Sequence, residues 1–431
     1  MRQRQVDNVE QCIIERARKV LPSGGFGNVT FDVVVAKGKG GHVWDESGNE
    51  YIDYLLGSGP MLVGHAHPDV TKAVQEQVAK GSTFFANNAL GIELAEAIVN
   101  GVPCAEKVRF VSSGTEATFY AMRAARAYRG RDKILKFEGG FHGMSDYALM
   151  SMAPAKPSNF PQAVPDTAGI PEKVSDEMLI APFNDAETAI DLIREHANEL
   201  AAVIVEPLQR MIPPKEGFLE ALRDATRDAG LPLIFDEVVT GFRFAYGGAQ
   251  EFYGVEPDLC ALGKVIGGGY PLAAIAGSEE VMAVFDAASV EPERSVKQIG
   301  TLSGNPVAAS AGLATIEVLK QPGVYEKVFA TGRKLMDGLK ASLVKHGIQA
   351  QVLGEPPMFD VVFTPREIND YRSTLGADNE MRKRFNSELL ARGILKGDNK
   401  FYVSLAHTDE DVDKTLDAFD GALAAVAAVA A

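Results

Sequence analysis

The chain has 431 residues, of which 46% are hydrophobic and 23% are charged, so it can bury a core large enough for roughly two to three domains. Its 43 basic and 58 acidic residues give a formal net charge of −15, which argues against nucleic acid as a partner. Three cysteines lie far apart with no Cys-x-x-Cys spacing. Neither a disulfide framework nor a metal site is therefore predicted, and a reducing, cytoplasmic location is expected.

The N-terminal residues have the apolar spacing of an amphipathic helix that ends at Pro22, and their scattered charges are unlike those of a secretory signal. In residues 38–54, the runs GHVWD and YIDY flank a Ser-Gly-Asn turn, which is typical of a small hairpin. The proline-rich segment 152–177 is either an ordered loop near a site or a surface excursion.

The central part of the chain alternates short apolar runs with helical patterns, which predicts a parallel sheet flanked by helices. The runs interpreted as strands are 107–112, 133–137, 201–206, 231–236 and 271–277, and the helices between them include 115–129, 186–198 and 217–229. After residue 320 the prediction is helix 325–346, strands around 350–363, helix 379–392, strand 401–405 and helix 409–427. We predict a large central domain of residues 61–320, and a small α+β domain formed by residues 1–60 and 321–431.

Lys264 is the only charged side chain in the stretch LCALGKVIGGGYPLAAIAG, residues 259–277. Burial disfavours the charged form of a lysine and leaves a neutral amine that can attack a carbonyl carbon. The pattern therefore indicates a lysine suited to forming a Schiff base. One alternative is a side chain whose ammonium group reaches the surface; a membrane span is disfavoured by the glycines and by Pro271.

Two segments place hydroxyl groups before a helix, where a phosphate group can bind. In VSSGTEA, Ser113 and Thr115 lie between a predicted strand and a predicted helix, whose first amides carry partial positive charge. In QIGTLSGNP, Thr301 and Ser303 precede a second helix. Ordinary helix capping is the alternative for the first segment.

Acidic residues follow two of the apolar runs. Asp236 and Glu237 end LPLIFDE, and Glu206 ends AAVIVE, at the edge where open α/β sheets bind ligands. A buried carboxylate is costly unless it meets a cation, such as the protonated pyridine nitrogen of pyridoxal phosphate. Capping of a helix or turn is the alternative.

The loop GGFHG follows the strand predicted at 133–137 and brings an aromatic ring and an imidazole to the same edge. Phe141 can stack on a flat cofactor, and His142 can act as an acid or a base. Core packing of Phe141 and ordinary hydrogen bonding of His142 are the alternatives.

Six motifs in a fixed order resemble those of class III (ornithine/omega) aminotransferases, which are fold-type I pyridoxal phosphate enzymes: SSGTEA, FHG, VEP, FDEVVTGFR, LGKVIGGGYPLAA and GTLSGNPVA. The resemblance runs from about residue 20 to about residue 420 and is greatest to the branch that contains glutamate-1-semialdehyde aminomutase. It implies an α/β fold, with a mostly parallel seven-stranded sheet in the large domain and a smaller α+β domain. It also implies pyridoxal 5'-phosphate as the cofactor and a homodimer with shared active sites.

The resemblance also implies roles for individual residues. Lys264 would form the Schiff base with the cofactor, and Asp236 would pair with the pyridine nitrogen. The other predicted cofactor contacts are Ser113, Gly114 and Thr115 at the phosphate, Phe141 and Val238 on the two faces of the ring, His142 and Glu206 beside it, and Thr301 at the phosphate of the neighbouring subunit.

Three positions depart from the aminomutase pattern. Thr30, in PSGGFGNVT, occupies the place of an arginine that ends the aminomutase loop PGGVNSPVR and holds the substrate carboxylate. Phe141 replaces the usual tyrosine, and Asn399 replaces a glutamate near the final strand. The first and last departures argue against aminomutase activity.

The sequence therefore predicts an aminotransferase that moves an amino group from an amine or a β- or ω-amino acid to a keto acid by a ping-pong mechanism. The alternatives are glutamate-1-semialdehyde aminomutase, an amino-acid racemase or epimerase and, from another class, a non-catalytic relative that binds the cofactor. Thr30 cannot form the paired hydrogen bonds that an arginine makes with a carboxylate. Another cation is therefore expected in the substrate pocket: Arg210 first, then Arg243 and Lys400, with a surface salt bridge as the alternative for Arg210.

Overall fold

The computed structural model describes residues 4–430. Its helices are α1 (Asn8–Val20), α2 (Pro68–Val78), α3 (Ala89–Gly101), α4 (Gly114–Arg129), α5 (Ala186–Glu195), α6 (Phe218–Asp228), α7 (Gly248–Tyr253), α8 (Glu279–Met282), α9 (Pro306–Leu319), α10 (Val324–Lys345), α11 (Tyr371–Thr374), α12 (Asn379–Ala391) and α13 (Asp409–Ala430). Its strands are β1 (Val35–Lys39), β2 (His42–Asp45), β3 (Glu50–Asp53), β4 (Lys107–Val111), β5 (Lys133–Phe137), β6 (Met178–Ala181), β7 (Leu200–Val205), β8 (Leu233–Glu237), β9 (Leu259–Leu262), β10 (Ala273–Gly277), β11 (Gln351–Glu355), β12 (Met358–Val362), β13 (Ile394–Leu395) and β14 (Phe401–Tyr402). Over this range no helix is both long and apolar enough to cross a membrane.

The chain forms two compact units. Unit 1 comprises the residues up to Pro68, residues 322–367 and the residues from 376 onward, and unit 2 comprises Asp69–Gln321 and Ile368–Leu375. The short return of the chain to unit 2 at residues 368–375 has no counterpart in the sequence prediction.

Unit 2 is built on a seven-stranded sheet with the order β4-β10-β9-β8-β7-β5-β6. The predicted mostly parallel sheet is confirmed, because β5, β6, β7, β8 and β9 pair in parallel. The run at 271–277 is the exception to the parallel interpretation: β10 pairs antiparallel with both β4 and β9. Its residues are buried along the whole strand, as in a parallel strand, so its direction leaves no mark on its composition.

The two faces of this sheet are packed differently around β5. Ile134 belongs to the core cluster that includes small residues of α4, among them Ala117 and Ala121, whose short side chains let the helix lie close to the sheet. On the other face, the Phe137 ring contacts Phe183 and Phe218 edge to face. Because side chains alternate along a strand, Lys136 shares the face of Ile134.

Unit 1 contains two small sheets. The predicted hairpin is present as antiparallel strands β2 and β3, within a sheet of order β1-β2-β3-β13. A second sheet has the order β11-β12-β14. The last strand is shorter than the predicted 401–405, because the amide of Ser404 donates to Nδ1 of His407 instead of to a neighbouring strand.

Candidate active site

The start of α4 forms a cradle of backbone amides. Ser113 is the N-cap, and its hydroxyl accepts from the amide of Glu116 at 3.2 Å. The carboxylate of Glu116 in turn accepts from the amide of Ser112 at 2.9 Å and from the Ser113 hydroxyl at 3.1 Å. The amides of Gly114 and Thr115 begin the helix, where no preceding turn supplies a carbonyl, so they point to an anion site.

Val238 joins three chain segments beside this cradle. A methyl group on Gly114 would lie 2.8 Å from Cγ1 of Val238, and one on Gly263 would lie 3.2 Å from the same atom. Only a residue without a side chain lets the backbone at 114 come this close. The start of α4, the end of β8 and the end of β9 therefore meet at Val238, next to Lys264.

Lys264 is separated from β9 by Gly263 alone and opens a 3-10 turn, Lys264–Gly267. Its φ of 47° is in the left-handed region, which is uncommon for a lysine and marks a backbone held by its surroundings. The three residues after it are buried, whereas Lys264 itself is half-buried. The turn packs on α9, where a methyl group on Gly312 would lie 2.1 Å from the Ile266 carbonyl oxygen.

Asp236 is the last residue but one of β8 and is 6% exposed. One carboxylate oxygen is 2.9 Å from Nδ1 of His142, and the other accepts from the amide of Val238 at 3.1 Å. His142 is fully enclosed. Because strands β5 and β8 run in the same direction, the loop after β5 brings His142 to the carboxyl end of β8.

Phe141 and His142 belong to a segment that we call the FHG loop, residues 139–150. The amide of Phe141 donates to the Glu206 carboxylate at 2.8 Å, which places Glu206 under the loop. A methyl group on Gly143, where φ is 88°, would lie 2.7 Å from Cα of Thr115, so the loop lies directly against the start of α4. The guanidinium of Arg210 lies 5.1 Å from the centre of the Phe141 ring.

Glu237 has a structural role instead of a place at the site. It is fully buried and accepts from the Thr240 hydroxyl at 2.9 Å, the Ala249 amide at 2.6 Å and the Gln250 side chain at 2.9 Å. Burial raises the pKa of Glu237, against the opposing effect of these hydrogen bonds. The capping alternative therefore describes Glu237, and Asp236 alone faces His142.

Two groups near the site were missed by the sequence interpretation. Lys136 is fully buried, and burial lowers its pKa to about 7 against the attraction of carboxylates including Glu206 and Asp236. The full burial expected for Lys264 is thus found at Lys136. The sequence signal for a buried Lys136 was a charged residue on the apolar face of a predicted strand. Glu138, the residue after β5, is paired with Arg372 at 2.7 Å and 3.0 Å, across a sequence separation that no local pattern reveals.

The predicted substrate residues are divided between the two units. Arg210 is half-buried over Phe141, but Arg243 is fully buried, which does not suit a group that meets incoming substrate. In unit 1, the Thr30 hydroxyl donates to the Asp398 carboxylate at 2.8 Å, and Nζ of Lys400 lies 5.9 Å from the Tyr402 ring. Thr301 of unit 2 is exposed in the turn before α9.

These residues fit pyridoxal 5'-phosphate. The two leading amides of α4 suit its phosphate, the buried carboxylate of Asp236 suits a protonated ring nitrogen, and Phe141 and Val238 offer apolar surfaces. Lys264 would supply the amine. The mostly parallel sheet with these groups at its carboxyl edge defines a fold-type I pyridoxal phosphate enzyme.

The chain belongs to the class-III aminotransferase family, whose pattern matches residues 26–423. It is 42% identical over 419 residues to a protein named glutamate-1-semialdehyde 2,1-aminomutase from Thermodesulfovibrio yellowstonii, covering 94% of this chain and 96% of that one. Among solved structures, it is similar to an omega-transaminase from Sphaerobacter thermophilus, with 37% identity, a TM-score of 0.92 and 97% of each chain covered. A structure described as a transaminase with pyridoxal phosphate bound is 31% identical, with a TM-score of 0.91 and 99% of each chain covered.

Both the resemblance and the cofactor predicted from the sequence are thereby confirmed. The relatives named as aminomutases also agree with the branch to which the resemblance is greatest.

Proposed function

We propose that the protein is an aminotransferase that moves an amino group from an amine or a β- or ω-amino acid to a keto acid. The observation that carries this choice is the pair formed by Thr30 and Asp398, whose side chains are 2.8 Å apart. At the position where the aminomutase pattern has a carboxylate-binding arginine, this chain has a neutral hydroxyl bonded to an acid. Such a pair would give the carboxylate of glutamate 1-semialdehyde no ionic partner.

Bound pyridoxal phosphate supplies an electron sink that acidifies the hydrogen on the amine-bearing carbon of the substrate. Lys264 would hold the cofactor through its amine and, once a donor has displaced it, would move a proton at that carbon. Asp236 would keep a proton on the ring nitrogen, with His142 fixing the orientation of its carboxylate. The amides of Gly114 and Thr115 would hold the phosphate.

Arg210 is the group that we assign to the carboxylate of the keto acid. It has a φ of 59° in the turn that links Gln209 to Ile212 through paired backbone hydrogen bonds of 3.1 Å and 2.8 Å. This turn holds the guanidinium over the face of Phe141. A planar fork of N–H donors in this place suits a carboxylate better than a lysine would.

The decisive experiment is a panel of amine donors, each offered with pyruvate or 2-oxoglutarate, with the keto product measured. We expect turnover that depends on the second substrate and stops when the acceptor is omitted. Turnover of no donor in the panel, by protein shown to be loaded with cofactor, would overturn the proposal.

Aminomutase activity is the second candidate, because relatives at 40–42% identity carry that name. It differs in needing no second carbonyl substrate. Wild type and Thr30→Arg should therefore be compared on glutamate 1-semialdehyde without an acceptor. We expect little turnover by the wild type and more by Thr30→Arg, whereas efficient isomerisation by the wild type would establish the aminomutase instead.

A homodimer is also proposed, with Thr301 reaching the site of the neighbouring subunit. Its support in unit 2 is an open groove of about 830 Å³, lined in part by exposed apolar side chains and by the turn that precedes α9. The exposed apolar residues that line it are Phe85, Ile92, Val99 and Ile299. Sedimentation of the loaded enzyme should give a dimer; a fully active monomer would contradict this assignment. A cytoplasmic location remains a proposal that rests on cysteine usage.

A further inference from the structure

We propose that Lys136 is a positioning residue for the cofactor site, because its Nζ atom ties together the two arms of the FHG loop. This inference rests on the proposed function only in calling the loop part of the cofactor site. Lys136 itself touches neither substrate nor the proposed cofactor contacts, and it would act through the loop that carries Phe141 and His142.

The hydrogen bonds of Lys136 span the loop from its start to its end. Nζ donates to the carbonyl of Gly140 at 3.1 Å on the outgoing arm. On the returning arm it donates to the carbonyls of Ala148 at 2.8 Å and Met150 at 2.7 Å. The protonated form of Lys136 has three N–H bonds, so its donors match these three acceptors in number.

The loop encloses this polar interior away from water, and its carbonyl oxygens need donors. Lys136 is 0% exposed, and at the base of the loop the amide of Gly139 donates to the Ser151 carbonyl at 2.9 Å. Buried carbonyl groups that lose their donors are costly, and the loop would open to hydrate them. The lysine therefore holds the arms together from inside.

The residues between the two arms are those that face the proposed cofactor. The imidazole of His142 contacts the Asp236 carboxylate at 2.9 Å. The backbone carbonyl of His142 accepts from the Thr118 hydroxyl at 2.6 Å. The amide of Phe141 donates to Glu206. A shift of the arms would therefore move the histidine away from Asp236 and alter the protonation of the ring nitrogen that Asp236 would control.

A graded series of variants tests the role of the donors. Lys136→Gln keeps two N–H donors and Lys136→Met keeps none. Lys133→Met is the matched control, because Lys133 lies on the same strand but pairs with the half-exposed Glu199. Amide hydrogen exchange of residues 139–150 should be measured by mass spectrometry in the cofactor-free and the loaded protein.

We expect exchange in residues 139–150 to rise about tenfold or more in Lys136→Met, with an intermediate rise in Lys136→Gln and none in the control. In the loaded enzyme, the pH titration of the visible absorption of the cofactor should shift in the same order. The kcat should fall about tenfold or more, while the KM of the amine donor changes less than about twofold.

Unchanged exchange in residues 139–150 of a folded Lys136→Met protein would overturn the inference. So would a variant that is less stable yet keeps the wild-type absorption titration and kcat, since Lys136 would then be only structural. If Lys136→Met does not fold, Lys136→Gln carries the same comparison. Absence of amino transfer by the wild type would refute the proposed function and leave the exchange result standing.

Discussion

The burial of His407 should make the free energy of unfolding of unit 1 depend on pH. The ring is 1% exposed; its Nδ1 accepts from the Ser404 amide at 3.1 Å, and its Nε2 donates to the Asp53 carbonyl at 3.0 Å. These two bonds fix the neutral tautomer with hydrogen on Nε2. If Nδ1 were protonated, its N–H would face the N–H of Ser404, and both groups would be donors. Burial lowers the pKa of His407 from 6.5 to about 4.

A pKa lowered to about 4 in the folded protein means that the unfolded chain binds the extra proton first as the pH falls. The contribution of His407 to stability is therefore complete above pH 6.5 and is lost between pH 6.5 and 4. Since one pKa unit corresponds to about 1.4 kcal/mol, the loss amounts to about 3 kcal/mol. His407→Gln should keep a donor for the Asp53 carbonyl but remove this slope.

The assay is urea unfolding at several values between pH 4 and pH 7.5, followed by the fluorescence of the single tryptophan, Trp44, which lies in β2 of unit 1. The difference in free energy of unfolding between wild type and His407→Gln should shrink by about 3 kcal/mol from pH 6.5 to pH 4. His346→Gln, in the same unit, controls for the loss of a histidine as such. Parallel pH curves for wild type and His407→Gln would refute the reasoning.

Three further outcomes are expected. Asp236→Asn should bind the cofactor but lose about 10²–10³ in kcat, because a neutral amide does not hold the proton on the ring nitrogen; wild-type turnover would make Asp236 a structural cap. Arg210→Met should raise the KM of keto acids far more than that of a neutral aryl amine, and equal effects on both would remove Arg210 from the site. Arg372→Met should lower the free energy of unfolding by about 3 kcal/mol, because Glu138 is left buried without its partner. That figure is at the low end for a broken buried pair, since the Arg372 side chain is 37% exposed; double replacement with Glu138→Gln should recover much of the loss, and no recovery would show that the pair is not the cause.

The sequence was sufficient to predict the class of fold because alternation of apolar runs and helical patterns reports burial directly. The helices and strands that were predicted for the central region lie within about three residues of their observed ends. The direction of β10 could not be predicted, since a strand buried on both faces has the same composition whichever way it runs. Strand β9, which lies in a glycine-rich stretch, and strand β6 were likewise not recognised as strands.

At the site, residues that follow strands could be named, because the carboxyl ends of parallel strands share one edge. The separate roles of Asp236 and Glu237 depend on which way each side chain points from β8, and that follows from strand alternation only once the packing of both faces is known. The partners of Lys136 are carbonyl groups, which carry no signal in side-chain identity. Arg372 and Glu138 are 234 positions apart in the sequence, so no local pattern indicates that they pair.

The return of residues 368–375 to unit 2 has a consequence for how the protein is made. When the chain has been synthesised as far as Gln321, Arg372 has not yet been made. Glu138 therefore has no ion-pair partner until well over forty further residues have emerged from the ribosome. The sheet of unit 1 forms later still, because the hairpin strand β3 pairs with β13 near the other end of the chain. Unit 2 is therefore completed only after residue 375 has emerged, and unit 1 only after β13 has, so a stop codon between residues 322 and 367 leaves both units incomplete.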